Sequence, residues 1–104
     1  DMFAYREAFR SLVANLQRLD AERPLRSLVI SSADNQLADS TTAAYLAWAA
    51  AELGNRVLLI DADFRFPHLH NFLELPNEQG FANILAGELD LKNVIKRSPS
   101  EPNL

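Results

Sequence analysis

Two short apolar runs on either side of an alanine-rich segment constrain the fold of this chain most strongly. Residues 25–31 and 57–60 are rich in leucine and β-branched side chains and lack helical spacing, so each run predicts a β-strand, and the second lacks alternation, as is typical of a strand covered on both faces. Between them, Asp39 or Ser40 can cap a helix that continues to Leu53. A strand, a helix and a strand within about 35 residues predict a βαβ unit with parallel strands.

The segments that flank this unit predict helices. Residues 3–19 predict an amphipathic helix, with apolar side chains at helical spacing at Ala8, Leu12, Leu16 and Leu19 and with Phe9 and Val13 beside them. A short helix or turn is predicted at residues 67–72, and short helices at 80–87 and 91–95. The sequence therefore divides into an N-terminal helix at 1–22, a βαβ core at 25–61, and a loop with short helices at 62–104. Because two strands are few for an independently stable sheet, we expect a partial α/β domain that is truncated or completed by a partner.

Composition excludes several classes of function. The 104 residues carry a net charge of −4, which disfavours binding to nucleic acid or to an anionic membrane surface. The chain has no cysteine, so disulfides and thiolate metal sites are excluded. The longest nearly apolar stretch, residues 43–51, is shorter than the roughly 20 residues that span a bilayer. With no recognisable signal peptide, we expect a cytoplasmic chain that does not itself insert into the membrane.

The segment between the first predicted strand and the helix stands where a phosphate-binding loop would stand, but it lacks the required chemistry. Such a loop uses glycines, so that backbone N–H groups can wrap a phosphate, and a lysine to neutralise it. The glycine positions hold Asp34 and Ala38, and the lysine position holds Asp39. A carboxylate there replaces an attraction of about 4 kcal/mol with a repulsion of similar size. Only the hydroxyl residues Ser40 and Thr41 are retained as candidate nucleotide-binding side chains.

An ordered series of short motifs resembles the bacterial tyrosine kinase domain attached to polysaccharide co-polymerases of capsule and exopolysaccharide synthesis. The resemblance covers nearly the whole chain, but only about the first half of the family's catalytic domain. It implies a P-loop NTPase-like fold, related to the partition ATPases, that uses ATP and Mg²⁺. The motifs that carry it are residues 7–10, 28–33, 40–44, 57–67, 75–81 and 84–89.

The resemblance assigns candidate catalytic and metal-binding residues. In the family, the second strand ends in an acidic motif that serves Mg²⁺ and proton transfer, and Asp61 and Asp63 match it, with Ser40 as a further metal ligand. Alternate residues of an extended segment share a face, so both carboxylates could reach one ion. The alternative is that one of them caps a turn. A third hypothesis is direct binding of a divalent ion, without nucleotide, by these two residues together with Asp34 and Asp39.

The resemblance also assigns a candidate interface. The family's first helix carries a Glu-x-x-Arg-x-x-Arg pattern used in self-association; Glu7 and Arg10 match it, whereas Val13 stands at the third position. The alternative is an exposed helix pair that contributes a few tenths of a kcal/mol. Tyr5 and Tyr45 form no cluster and are expected to be packing residues.

These observations favour a catalytically inactive tyrosine-kinase-like domain of a capsule or exopolysaccharide biosynthesis protein. It would act by interaction with itself or with co-polymerase and export components, at the cytoplasmic face of the inner membrane. No cofactor is expected, and ATP with Mg²⁺ would bind only if the degenerate loop still functions. The alternative is an ATP-dependent protein tyrosine autokinase that regulates polysaccharide chain length and export. Whether the chain is an enzyme is therefore left open by its sequence.

Overall fold

The computed structural model describes residues 2–19, 22–23, 25–31 and 37–104, with the backbone alone described for 2–3 and 37–40. The elements formed within these ranges are all helices. They are α1 (Met2–Arg18), α2 (Leu37–Glu52), α3 (Leu69–Phe72), α4 (Phe81–Leu85) and α5 (Leu91–Val94).

The predicted P-loop-like βαβ unit with parallel strands is wrong. In the described ranges the structure forms no strand, and the one β-bridge is an isolated antiparallel pair between Ser98 and Glu101. Residues 25–31 are exposed throughout, with Val29 at 86%. In the second run, Val57 N–H donates to the Asn103 carbonyl at 2.8 Å. An apolar run indicates only extended backbone, whereas a strand requires a ladder with a neighbour, and neither run has one here.

Helices α1 and α2 pack together and form the hydrophobic core. Val13 of α1 and Leu46 and Ala49 of α2 are each less than 9% exposed, and Phe9 and Leu16 pack against them. The predicted helix is confirmed, but the predicted apolar stripe is wrong in part, because Ala8, Leu12 and Leu19 are exposed. The contact with α2 centres instead on Val13, which the sequence places beside that stripe. Helix α2 is rich in alanine, and its small side chains leave room for the larger α1 residues at the contact.

The structure contradicts the predicted start of α2 and confirms its predicted end. The helix begins at Leu37, so Asp39 and Ser40 lie in its first turn, and the prediction that one of them is the N-cap is wrong. The end near Leu53 is confirmed, because Gly54 has a φ of 99° and donates its N–H to the Ala51 carbonyl at 3.0 Å. Asn55 N–H donates to the Ala50 carbonyl at 3.1 Å, which completes a glycine-dependent helix end.

The C-terminal residues fold back onto the end of α2. The Asn103 side-chain amide donates to the Ala51 carbonyl at 3.3 Å, and Ser98 N–H donates to the Leu104 carbonyl at 2.8 Å. Helix α3 contacts α2 through an edge-on aromatic pair, Tyr45 and Phe72. Among the described residues, none of the helices combines the length and apolar character needed to cross a bilayer.

Candidate functional site

The carboxylates of Asp61 and Asp63 organise the turn that leads into α3. Asp61 Oδ1 accepts a hydrogen bond from Asp63 N–H at 3.0 Å, and its Oδ2 accepts one from Leu69 N–H at 3.3 Å. Asp63 Oδ1 accepts from the N–H groups of Arg65 and Phe66, at 3.1 and 3.0 Å. These bonds satisfy backbone donors that a turn and a helix start would otherwise leave unpaired.

These bonds leave the metal-binding hypothesis untested. A carboxylate has about four acceptor positions, so Asp61 and Asp63 retain capacity for a cation or a further donor. Within the described part of the chain, however, no group of three or more histidine, aspartate or glutamate side chains is arranged to hold a metal ion. The geometry thus supports turn capping by both residues, and the Mg²⁺ site stays a prediction.

Both carboxylates lie on the lining of a cleft of about 1160 Å³. The cleft is lined by the apolar residues 57–60 and by the mixed polar and apolar residues 75–84, which include Phe81, whose ring centroid lies 6.1 Å from that of Phe64. A basic wall, defined by Lys92, Lys96 and Arg97, completes the lining. A concave site that combines apolar walls with a few charged groups is typical of a binding site for a ligand or a peptide.

His70 is a cleft residue that the sequence did not mark as functional. It lies on α3, and its Nδ1 atom is buried without a hydrogen-bond partner in the described structure. A histidine in a loop after an acidic pair has no distinctive local signal, because its burial depends on how α3 folds over the cleft. His70 therefore adds an imidazole to the residues that line the cleft.

The structure describes only some of the candidate nucleotide-binding residues. Asp34 lies outside the described residues, and the side chains of Ala38, Asp39 and Ser40 are likewise outside the description. Thr41 is half-buried on α2. Nucleotide binding by Ser40 and Thr41 therefore stays a prediction, as does ion binding by the four aspartates.

The predicted interface residue Arg10 is held by a carboxylate of its own chain. Its Nη2 donates to Glu52 Oε2 at 2.6 Å, and Arg6 Nη2 donates to both oxygens of the same carboxylate at 2.9 and 3.0 Å. Glu7 Oε1 lies 3.8 Å from Arg10 Nη1, so this predicted helix pair is present but long. Arg6 also lies over the Trp48 ring, 5.2 Å from its centroid.

The electrostatics of this cluster follow from its geometry. The hydrogen bond from Arg10 is the largest effect that lowers the pKa of Glu52, against the opposing effect of desolvation, and Arg6 lowers it further. In turn, the same hydrogen bond raises the pKa of Arg10. Sequence reasoning missed Glu52 because its partners lie 42 and 46 residues away and no local pattern connects them.

Tyr5 and Tyr45 pack as the sequence predicts. The centroids of the Tyr5 and Tyr45 rings lie 5.8 Å apart, and the Phe9 ring also stacks with Tyr45, at a centroid distance of 5.5 Å. These contacts join α1 to α2 beside the charged cluster.

Comparison with known proteins places this chain beside bacterial tyrosine-protein kinases. It is 35% identical over 92 residues to tyrosine-protein kinase YwqD of Bacillus subtilis, a match that covers 88% of the chain and 39% of YwqD. It is 33% identical over 90 residues to tyrosine-protein kinase Etk of Escherichia coli K12, covering 86% of the chain and 12% of Etk. CapB of Staphylococcus aureus, provisionally named a tyrosine-protein kinase, is 32% identical over 95 residues, which cover 91% of the chain and 42% of CapB.

These similarities confirm the resemblance seen in the sequence motifs. The chain spans about two fifths of the length of YwqD and CapB and about an eighth of Etk. No protein-family model matches the chain, and no solved structure matches it.

Proposed function

We propose that this chain, which is homologous to a segment of the bacterial tyrosine-protein kinases, is a kinase-like domain that does not transfer phosphate. It acts by protein interaction in capsule or exopolysaccharide synthesis. The observation that carries the proposal is the composition of residues 34–39, where Asp34, Ala38 and Asp39 stand in place of the two glycines and the lysine of a phosphate-binding loop. Ala38 and Asp39 lie in the first turn of α2.

The loop chemistry opposes nucleotide triphosphate at three positions. Asp39 places negative charge where the phosphates need a cation, and Asp34 adds a second carboxylate nearby in sequence. Ala38 adds a Cβ where glycine would let the backbone approach a phosphate closely. Each change alone weakens phosphate binding, and together they disfavour it strongly.

The acidic motif supports the same proposal in a different way. Asp61 and Asp63 each accept two backbone N–H groups and hold the turn before α3. This structural role explains their presence without any requirement for Mg²⁺ or ATP. Such a domain can lose phosphate transfer and still need both carboxylates to fold.

We further propose that its partners are a second copy of the chain or components of the polysaccharide co-polymerase and export machinery, met at the cytoplasmic face of the inner membrane. Glu7 has a side chain that is 53% exposed, and it can contact such a partner. Arg10 is 39% exposed but already bound to Glu52, so its contribution to a partner contact is reduced. The acidic net charge disfavours nucleic acid as a partner.

Isothermal titration calorimetry with MgATP and MgADP at millimolar ligand tests the loss of nucleotide binding. We expect no heat of binding for the natural chain or for Asp39→Lys, because the Asp34 carboxylate and the Ala38 Cβ still oppose phosphate binding. A triple variant, Asp34→Gly with Ala38→Gly and Asp39→Lys, serves as the matched comparison and is expected to gain affinity. Binding to the natural chain at tens of micromolar would refute the proposal.

The second candidate function is an ATP-dependent protein tyrosine autokinase that regulates polysaccharide chain length and export. The similarity to YwqD and Etk, which are named tyrosine-protein kinases, favours it, as does the position of Asp61 and Asp63 on the cleft. Incubation with γ-labelled ATP and Mg²⁺ tests it directly. Label on Tyr5 or Tyr45 that is lost in Asp61→Asn would support this candidate against the first.

A further inference from the structure

A backbone segment that is paired only at its first residue and the basic wall of Lys92, Lys96 and Arg97 line the same cleft. The segment comprises residues 57–60, whose exposure alternates from one residue to the next, as it does in an extended chain. The cleft is therefore lined both by backbone groups that can form hydrogen bonds and by positively charged side chains.

The backbone of this segment has unmet hydrogen-bonding capacity. Val57 N–H is bonded to the Asn103 carbonyl, but the peptide groups of Leu58, Leu59 and Ile60 make no hydrogen bond within the described part of the chain. Successive N–H groups of an extended segment point to opposite edges. The edge that carries Leu58 and Ile60 is therefore the one opposite Asn103, and it can accept another strand.

The basic wall has no carboxylate partner in the described structure. Lys96 Nζ donates to the Pro76 carbonyl at 3.2 Å, and Arg97 Nη1 donates to the Pro102 carbonyl at 2.9 Å. These bonds hold two positive charges in place without neutralising them. Lys92 adds a third charge from α5.

The acidic side chains of Asp61, Asp63 and Glu78 also line the cleft. Since Asp61 and Asp63 bond to the turn before α3, the cleft has an acidic region apart in sequence from the basic wall. A bound ligand would therefore be favoured to place its acidic groups next to residues 92–97, and not next to Asp61 or Asp63.

We propose that the cleft binds an extended acidic peptide of a partner protein, added as a strand along residues 58–60 with its carboxylates against the basic wall. Main-chain hydrogen bonds supply affinity in such complexes, and side-chain pockets supply selectivity. The cleft volume of about 1160 Å³ exceeds the roughly 300–1,000 Å³ of small-molecule pockets, which suits a peptide. This inference rests on the proposed function in protein interaction, and it specifies the site and the chemical class of the partner.

A second copy of the chain fits the charge pattern less well. Its other exposed apolar run, residues 25–31, contains Arg26 and no acidic residue. Arg26 would meet the basic wall with a like charge, which disfavours pairing in this register.

Fluorescence anisotropy with the full chain and labelled heptapeptides tests the proposal. The probes are a peptide of alternating valine and glutamate, its valine–lysine counterpart, and the peptide of residues 25–31. We expect the glutamate peptide to bind at least tenfold more tightly than either other probe. Lys92→Glu should weaken it roughly three- to tenfold, whereas Arg18→Glu, the same charge change on α1, should leave it unchanged.

Hydrogen exchange separates strand addition from surface adhesion. Saturating glutamate peptide should slow exchange of the Leu58 and Ile60 amides, as main-chain hydrogen bonds along that edge would, and should do so more than for the Leu59 amide, which points to the opposite edge. Absence of binding, equal binding of the lysine peptide, or binding without this protection would each overturn the proposal. Tighter binding of the 25–31 peptide would also overturn it and would indicate a second copy instead. None of these outcomes depends on nucleotide, so the calorimetric test of the proposed function is independent.

Discussion

Arg10 Nη2 lies 2.6 Å from Glu52 Oε2 and joins the middle of α1 to the last residue of α2. Arg6 binds the same carboxylate, so two guanidinium groups converge on one glutamate whose side chain is 11% exposed. The pair of helices is therefore fixed at this end by charge and, around Val13 and Leu46, by apolar packing.

Glu52→Gln is expected to destabilise the chain by about 1–2 kcal/mol, because it replaces charge-assisted hydrogen bonds with weaker neutral ones. Urea unfolding followed by circular dichroism measures the change. Glu7→Gln is the matched control: its carboxylate is 53% exposed and 3.8 Å from Arg10, so its effect should stay within about 0.5 kcal/mol. Equal effects of the two substitutions would contradict a special role for Glu52.

Stability is expected to fall on acidification through the Glu52 carboxyl. The pKa of Glu52 lies below its ordinary value of 4.5 in the folded chain, so its stabilising effect is fully present above that value. It is lost as pH falls through the lower, folded pKa, when the unfolded chain binds the proton more readily. Thermal melts from pH 7 to pH 3 should show a smaller acid-dependent drop for Glu52→Gln, and parallel curves for the two proteins would contradict this.

Leu46→Ala is expected to cost about 2–5 kcal/mol, because Leu46 is 8% exposed and packs in the α1–α2 core. Leu19→Ala makes the same chemical change at a side chain that is 79% exposed, and it should alter stability by no more than about 0.5 kcal/mol. Chemical denaturation of both variants gives the comparison. A small loss at Leu46 would show that the α1–α2 contact does not form the core.

Local signals explain which parts of the fold the sequence predicts. The apolar spacing in residues 3–19 predicts helix α1, and Gly54 predicts the end of α2, since both signals lie within one or two helical turns. The spacing does not identify the buried face, because Leu12 and Leu19 are exposed and Val13 is buried. The runs at 25–31 and 57–60 were assigned to a sheet wrongly, because strand pairing depends on a distant partner that composition does not specify.

In the candidate site, too, the sequence predicts features that depend on neighbouring residues and misses those that depend on distant ones. Asp61 and Asp63 can be identified from sequence, and one of the alternatives considered, turn capping, matches their hydrogen bonds. The Glu52 cluster and the unpaired Nδ1 of His70 could not be predicted. Each results from contacts that form only when separate elements pack.

Gly54→Ala is expected to destabilise the chain by about 1–2 kcal/mol, since Gly54 has a φ of 99°, in the region that L side chains rarely adopt. No atom lies within 4 Å of an added Cβ, so the cost is conformational and not steric. Gly80→Ala is the control, because Gly80 has an extended φ of −163°. Thermal melting that shows equal losses at the two glycines would contradict a special conformational cost at Gly54.

Asp61→Ala is expected to lower the melting temperature in the absence of any nucleotide or metal ion. The substitution removes the acceptor for Leu69 N–H at the start of α3 and for Asp63 N–H, which costs about 1 kcal/mol or roughly 4–8 °C in a domain of this size. Asp61→Asn retains one carbonyl oxygen and should recover part of the loss. If Asp61→Ala melts like the natural chain without ligand but loses a stabilisation that MgATP confers on the natural chain, the carboxylate serves the nucleotide and not the fold.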